Sequence, residues 1–147
     1  MFSRLVAVLG AVVLSLGISL TAVADDHAFT EGPVVNVSRI RTEFGHFDDY
    51  MSYLDTTWKA SQEAAKKAGY IVSYEVLTAE PRDPNDADII LVVTYKNWAA
   101  LDGATAKGDA IAKAVEGSVA KSNQGAVDRN KIRRVLGSST MQVLELK

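Results

Sequence analysis

Cysteine is absent from this chain, which excludes disulfides, thiolate metal sites and cysteine nucleophiles. Histidine occurs only as His27 and His46. A Ser-His-Asp triad would have to be built around His46, and no nucleophile signature surrounds it. Neither sign of charge dominates: 16 basic residues face 18 acidic ones, so there is no electrostatic footprint for nucleic acid. Phosphate-loop chemistry is missing too. Gly103 to Gly108 has the glycine spacing, but Asp109 stands where the lysine belongs and the segment lies in helical sequence. No dinucleotide glycine pattern exists, no carboxylate pair has a recognisable catalytic spacing, and no cluster in the folded region looks like a metal site.

What the chain does have is one long apolar run at its start. Arg4 supplies a short positive region, Leu5 to Leu20 is uncharged, and Ala22 and Ala24 put small residues where a signal peptidase reads. Residues 1–24 are therefore expected to be a cleaved signal peptide, leaving no membrane span and a product in the periplasm or exterior of a bacterium, the compartment that suits a cysteine-free exported domain. Arg4 is the one charged residue removed, so 15 basic residues remain against 18 acidic ones, a net charge of −3. Cleavage before Asp25 would expose Asp25-Asp26-His27. A free amine, two backbone amides and the His27 imidazole form a planar nitrogen set that suits Cu²⁺ or Ni²⁺ and not Zn²⁺.

Residues 25–33 read as a flexible lead and residues 34–147 as one domain. Val34 to Glu43 is a first strand. Phe47, Tyr50, Met51, Leu54, Trp58, Ala65 and Ala68 then recur at helical spacing, with Gly69 as the stop. Tyr70 to Thr78 is a second strand, Glu80 to Asp88 a polar turn with Pro81 and Pro84, and Ile89 to Tyr95 a third strand. Asn97 caps a short helix to about Lys107; a longer helix follows, with Ile111, Val115 and Val119 on one face, and Trp98 is expected as a core anchor. Ile132 to Leu146 holds the last strand, bent or bulged at Gly137-Ser138. This order, βαββαβ, predicts an α+β, ferredoxin-like fold: an antiparallel sheet with helices on one face.

The face opposite the helices decides where a ligand would sit. Val35 and Val37 alternate with Asn36, Ser38 and Ile40, and Val72, Tyr74 and Val76 with Ile71, Ser73, Glu75 and Leu77. The uniformly apolar sets are expected to meet the helices, because a buried, unpaired Glu75 is costly. Asn36, Ser38, Ser73, Glu75 and Gln142 would then point away from the helices among Ile40, Ile71 and Leu77, as candidate ligand-binding residues. Ile89 to Val93 is apolar on both faces, so something must cover the helix-free one, and a second copy of the chain is the expected cover. His46, just before the helix, is a loop or cap residue by position and a candidate base or haem ligand by chemistry. Arg39 and Arg41 share a strand face and have the chemistry to hold an anion.

The segment GHFDDYMSYL and the closing LGSSTMQVLELK resemble the corresponding parts of antibiotic-biosynthesis-monooxygenase-like and NIPSNAP-like domains in the dimeric α/β-barrel superfamily. The resemblance implies two ferredoxin-like protomers packed sheet against sheet. Its members include cofactor-independent oxygenases, haem-degrading enzymes, haem-dependent dismutases and domains without known activity, and fold alone transfers none of these. With no catalytic constellation in view, the expected role is an exported homodimer, non-catalytic or binding a small molecule between the sheets. The alternative is an oxygenase-like or haem-handling enzyme that uses the barrel cavity.

Intact mass of protein from the native host should correspond to a chain starting at Asp25, and that chain should take up about one equivalent of Cu²⁺ with a visible d–d band. A mass that retains Met1 makes the segment an anchor, and Cu²⁺ uptake that survives in His27→Ala removes the terminal site.

Overall fold

A computed structural model describes residues 27–147; the expected signal peptide, Asp25 and Asp26 lie outside the described residues. Strands β1 (Phe29–Thr42), β2 (Ser73–Thr78), β3 (Ile89–Tyr95) and β4 (Arg133–Leu146) form an antiparallel sheet in the order β2-β3-β1-β4. Helix α1 (Phe47–Tyr53) runs through a π-helical segment (Leu54–Trp58) into α2 (Lys59–Lys67). A 3₁₀ turn (Trp98–Leu101), α3 (Ala104–Glu116) and α4 (Val119–Arg129) connect β3 to β4. The fold is α+β and compatible with a ferredoxin-like arrangement.

The core lies between the sheet and α1 with its π segment. Ile40, Ile89 and Leu91 from the strands meet Tyr50 and Leu54 from the helix, all at most 8% exposed. Because strand side chains alternate, this cluster identifies the faces. Ile40 pairs with Ile89, Ser38 with Leu91 and Asn36 with Val93. Asn36 and Ser38 therefore share the helix side with Ile40. Val35 and Val37 point the other way, alongside Ile90 and Val92. The expected face assignment of β1 is thus inverted. Apolarity misled it, since β1 is apolar on its outward side as well, and only the register to β3 tells the two sides apart.

Three boundaries also differ from expectation. The presumed lead is strand from Phe29, which pairs with Leu146. Pro33 does not stop it, because it falls in the register shift between Glu31 and Val34, where a missing N–H is tolerated. The second strand begins at Ser73, after a turn closed by Tyr70 N–H donating to the Ala65 carbonyl at 2.9 Å. The breaks in the second helical region lie at Gly103 and Gly117, not near Lys107. Gly117 takes φ +85°, which suits a helix stop, whereas Gly108 continues the helix. Ser118 then caps α4 by accepting from Lys121 N–H at 3.1 Å. The bulge expected at Gly137 is present: Arg39 pairs with Gly137 and Ile40 with Val135, leaving Leu136 unpaired in β4.

Ile89 is fully buried at the centre of this core. Ile89→Ala should lower unfolding free energy by about 3 kcal/mol, read as a shift in the urea midpoint at unchanged slope. A loss below about 1 kcal/mol would mean that the site collapses without a cavity.

Candidate functional site

The helix between Phe47 and Lys67 is not a plain α-helix, and its sequence explains why. It carries hydroxyls that bond back to carbonyls four residues earlier: Ser52 to Asp48 (2.9 Å), Thr56 to Ser52 (2.7 Å) and Ser61 to Thr57 (2.9 Å). Such back-bonding competes with the helix ladder and loosens it. The loosened turn is the π segment Leu54–Trp58. In a regular α-helix, residues five apart point about 140° away from each other. One π turn, which spans five residues, returns the second to the side of the first. Tyr53 and Trp58, five apart, therefore share one wall.

That wall belongs to a cleft of about 330 Å³ between the α1–α2 helix and the α3–α4 pair. The facing wall is built from small residues on one side of α3, Ala104, Gly108 and Ala112, with Ile111 beside them. Small side chains leave the gap open: a Cβ at Gly108 would meet nothing within 4 Å. Ile71 and Tyr95 close one end.

Polar groups enter the cleft at a few points. The Arg129 guanidinium carbon lies 4.2 Å from the Tyr53 ring centre, and its Nε is buried without a hydrogen-bond partner. Lys107 donates to the Ala100 carbonyl at 2.7 Å and sits 5.5 Å from the Tyr70 ring centre. Trp58 meets Tyr74 edge to face at 5.3 Å, and Tyr74 donates to Glu63 at 2.5 Å. Burial raises the Tyr53 phenol above its usual 10.0, with Glu116 adding to the rise and Arg129 and Arg133 opposing it. Burial likewise raises Tyr50 and Tyr95.

The candidate residues read from sequence are divided between the two sides of the sheet. Asn36, Ser38 and Gln142 lie on the helix side near β4. Asn36 donates to Thr140 at 2.9 Å, Ser38 and Ser138 share a 2.8 Å hydrogen bond, and Trp98 Nε1 donates to Gln142 at 3.0 Å. Trp98 is 48% exposed, so it is no core anchor. Ser73 and Glu75 pair with Thr94 and Val92 and lie on the helix-free face, where Glu75 is exposed. The five therefore do not form one pocket between sheets; the inverted face of β1 separates them. His46 precedes α1, with Nδ1 2.7 Å from the Asp49 carboxylate. His27 stacks on Phe29 with ring centres 5.3 Å apart. Sequence reading placed Tyr53 and Trp58 in no site. The available signal was the run of hydroxyls within the helix and the small-residue face of α3.

No protein-family model matches the chain, and no curated protein matches it. Among solved structures, the crystal structure of HapK from Hahella chejuensis is similar, with a TM-score of 0.49 and 13% identity over 74% of this chain and 90% of that one. At that distance the likeness carries neither a function nor an assembly to this chain.

Buried phenols are stable only while neutral. The raised Tyr50 and Tyr53 contribute stability fully present below about pH 10, the unfolded value, and lost as pH climbs through their higher folded values. Denaturant midpoints should fall steeply above pH 10, and less steeply in Tyr53→Phe. Identical alkaline slopes for the two proteins would show that Tyr53 ionises freely in the folded state.

Proposed function

We propose that the chain is an exported homodimeric binding protein that holds one small molecule in the cleft of each protomer and performs no chemistry on it. The observation that carries this reading is the π segment. It aims two aromatic side chains into a gap that small residues on α3 keep open, and π segments recur at functional sites. The fitting ligand has a flat apolar body for Tyr53 and Trp58 and an acceptor for the partnerless Arg129 Nε. The site is thus on the helix side of each protomer and not between sheets. No histidine lines the cleft, so a haem would have to find a different axial ligand there.

The homodimer is supported by the helix-free face. Val35, Val37, Ile90 and Val92 form its centre, flanked by Leu77 and Met141, which are 47% and 46% exposed. Arg39 lies opposite Ile90 on β1, and Glu75 lies beside Val92 on the edge strand β2. An apolar patch with a polar rim is the character of an association surface. Export rests on residues 1–24.

The probe for the cleft is 1-anilinonaphthalene-8-sulfonate, which is flat, apolar and anionic. It should bind saturably, at about one site per protomer, and Gly108→Leu should weaken it roughly tenfold by filling the gap. Light scattering should give twice the protomer mass for both proteins and the single mass for Val92→Asp. Unchanged probe binding in Gly108→Leu would remove the cleft as the site, and a monomeric wild-type protein would remove the dimer.

A further inference from the structure

A second concavity, of about 400 Å³, lies at the far end of β1, between the β1–α1 turn and the β2–β3 loop. It is separate from the cleft between the helices. Its apolar walls are Phe44, Phe47, Pro81 and Pro84, and its charged groups are Arg41, Glu43, Asp88 and Arg134.

The charges can be sorted by their partners. Arg41 and Arg134 are directly opposite each other on β1 and β4, a like-charge pair that destabilises a sheet unless each is neutralised. Arg134 is neutralised: its Nε lies 3.2 Å from the Glu43 carboxylate, and its Nη2 donates to the Pro84 carbonyl at 2.9 Å. Asp88 is occupied as well, accepting the Thr42 amide at 3.0 Å and the Thr42 hydroxyl. Arg41 has no such partner, and its Nη1 is buried without a hydrogen bond. A buried, unsatisfied guanidinium N–H is costly, and an acceptor from outside the chain is one way to relieve that cost.

The aromatic residues point to the rest of that ligand. Phe44 is wholly exposed and Phe47 is 40% exposed. Phe44 is not displayed by a slack loop. His46 N–H donates to the Glu43 carbonyl at 2.9 Å, Glu43 N–H donates to the Ile132 carbonyl at 2.9 Å, and Gly45 takes φ +81° to complete the turn. An aromatic ring held in water beside an unpaired guanidinium suits a molecule with an apolar body and one carboxylate.

We infer that this concavity is a second ligand site, which binds a small carboxylic acid with an apolar body through Arg41 and packs that body against Phe44 and Phe47. Its size, charge and walls exclude a bare inorganic anion as the preferred occupant, because a single guanidinium leaves most of a phosphate unmatched and the apolar walls unused.

The probe is 3-phenylpropionate, with 3-phenylpropionamide as its neutral isostere and inorganic phosphate as the bare anion. In ¹H–¹⁵N spectra of the full mature chain, the acid should shift amides of residues 41–47, 82–88 and 134. The acid should bind roughly tenfold more tightly than the amide, Arg41→Met should lose that preference, and Phe44→Ala should weaken the acid severalfold. Phe44 is exposed, so its removal leaves the fold intact. Equal binding of acid and amide, unchanged binding in Arg41→Met, phosphate binding as tight as the acid, or shifts confined to the cleft between the helices would each overturn the proposal. The helix-side cleft has its own probe and its own blocking variant, Gly108→Leu, so the two proposals fail separately.

Discussion

The contact on which the rest depends is the clasp between Thr42 and Asp88. The Asp88 carboxylate accepts the Thr42 amide and hydroxyl, and the Asp88 amide donates to the Ile40 carbonyl at 3.0 Å. Thr42 is only 8% exposed, so these bonds are shielded from water and strengthened by it. The clasp holds the last residues of β1 against the start of β3 and places Ile40 opposite Ile89. A slip of one residue would send Ile40 to the helix-free face and Arg39 or Arg41 into the core. Burying an unpaired guanidinium there would cost several kcal/mol. The register, and with it the identity of both sheet faces, is thereby specified.

With the register set, the two faces acquire different characters. The helix side is apolar where Ile40, Ile89 and Leu91 meet α1, and polar in the middle of β1 and along β4, where Asn36 bonds Thr140 and Ser38 bonds Ser138. The helix-free side is apolar along its middle. A monomer in water would gain nothing from Val35, Val37, Ile90 and Val92 on one outer face. The proposed homodimer would cover that face with the same sheet of a second copy.

Loosening the first helix has a local cause and a distant effect. Ser52, Thr56 and Ser61 compete with the backbone for its carbonyls, and the helix accommodates them with one wide turn. That turn brings Tyr53 round to the side of Trp58, across from the small-residue face of α3. A helix made of stronger formers would have left Tyr53 and Trp58 on different sides and closed the gap.

Much of the architecture was legible in sequence because it rests on local patterns. Helical spacing from Phe47 to Ala68, the β-branched run at Ile89 and the punctuation of Gly69, Pro81 and Pro84 each act over a few residues, and the order of strands and helices follows from them. Two local details were misread. Residues 25–33 read as a flexible lead, although a register shift at Pro33 lets β1 begin at Phe29, and the helical region reads as broken near Lys107, although within it the left-handed angles fall at Gly103 and Gly117. The sites were not legible, since each depends on residues distant in the chain. Asn36 and Ser38 could be assigned to a face only through the register with β3, because β1 is apolar on both sides. The cleft needs the turn at Tyr53 to meet a face of α3 some fifty residues later. Arg41 is distinguished from Arg134 by the Glu43 carboxylate and the Pro84 carbonyl, both of which engage Arg134. Sequence by itself determined what each segment becomes, through forces that act within one helical turn or one strand; the tertiary structure decided which sides of those segments face one another, because that is settled by long-range pairing and packing.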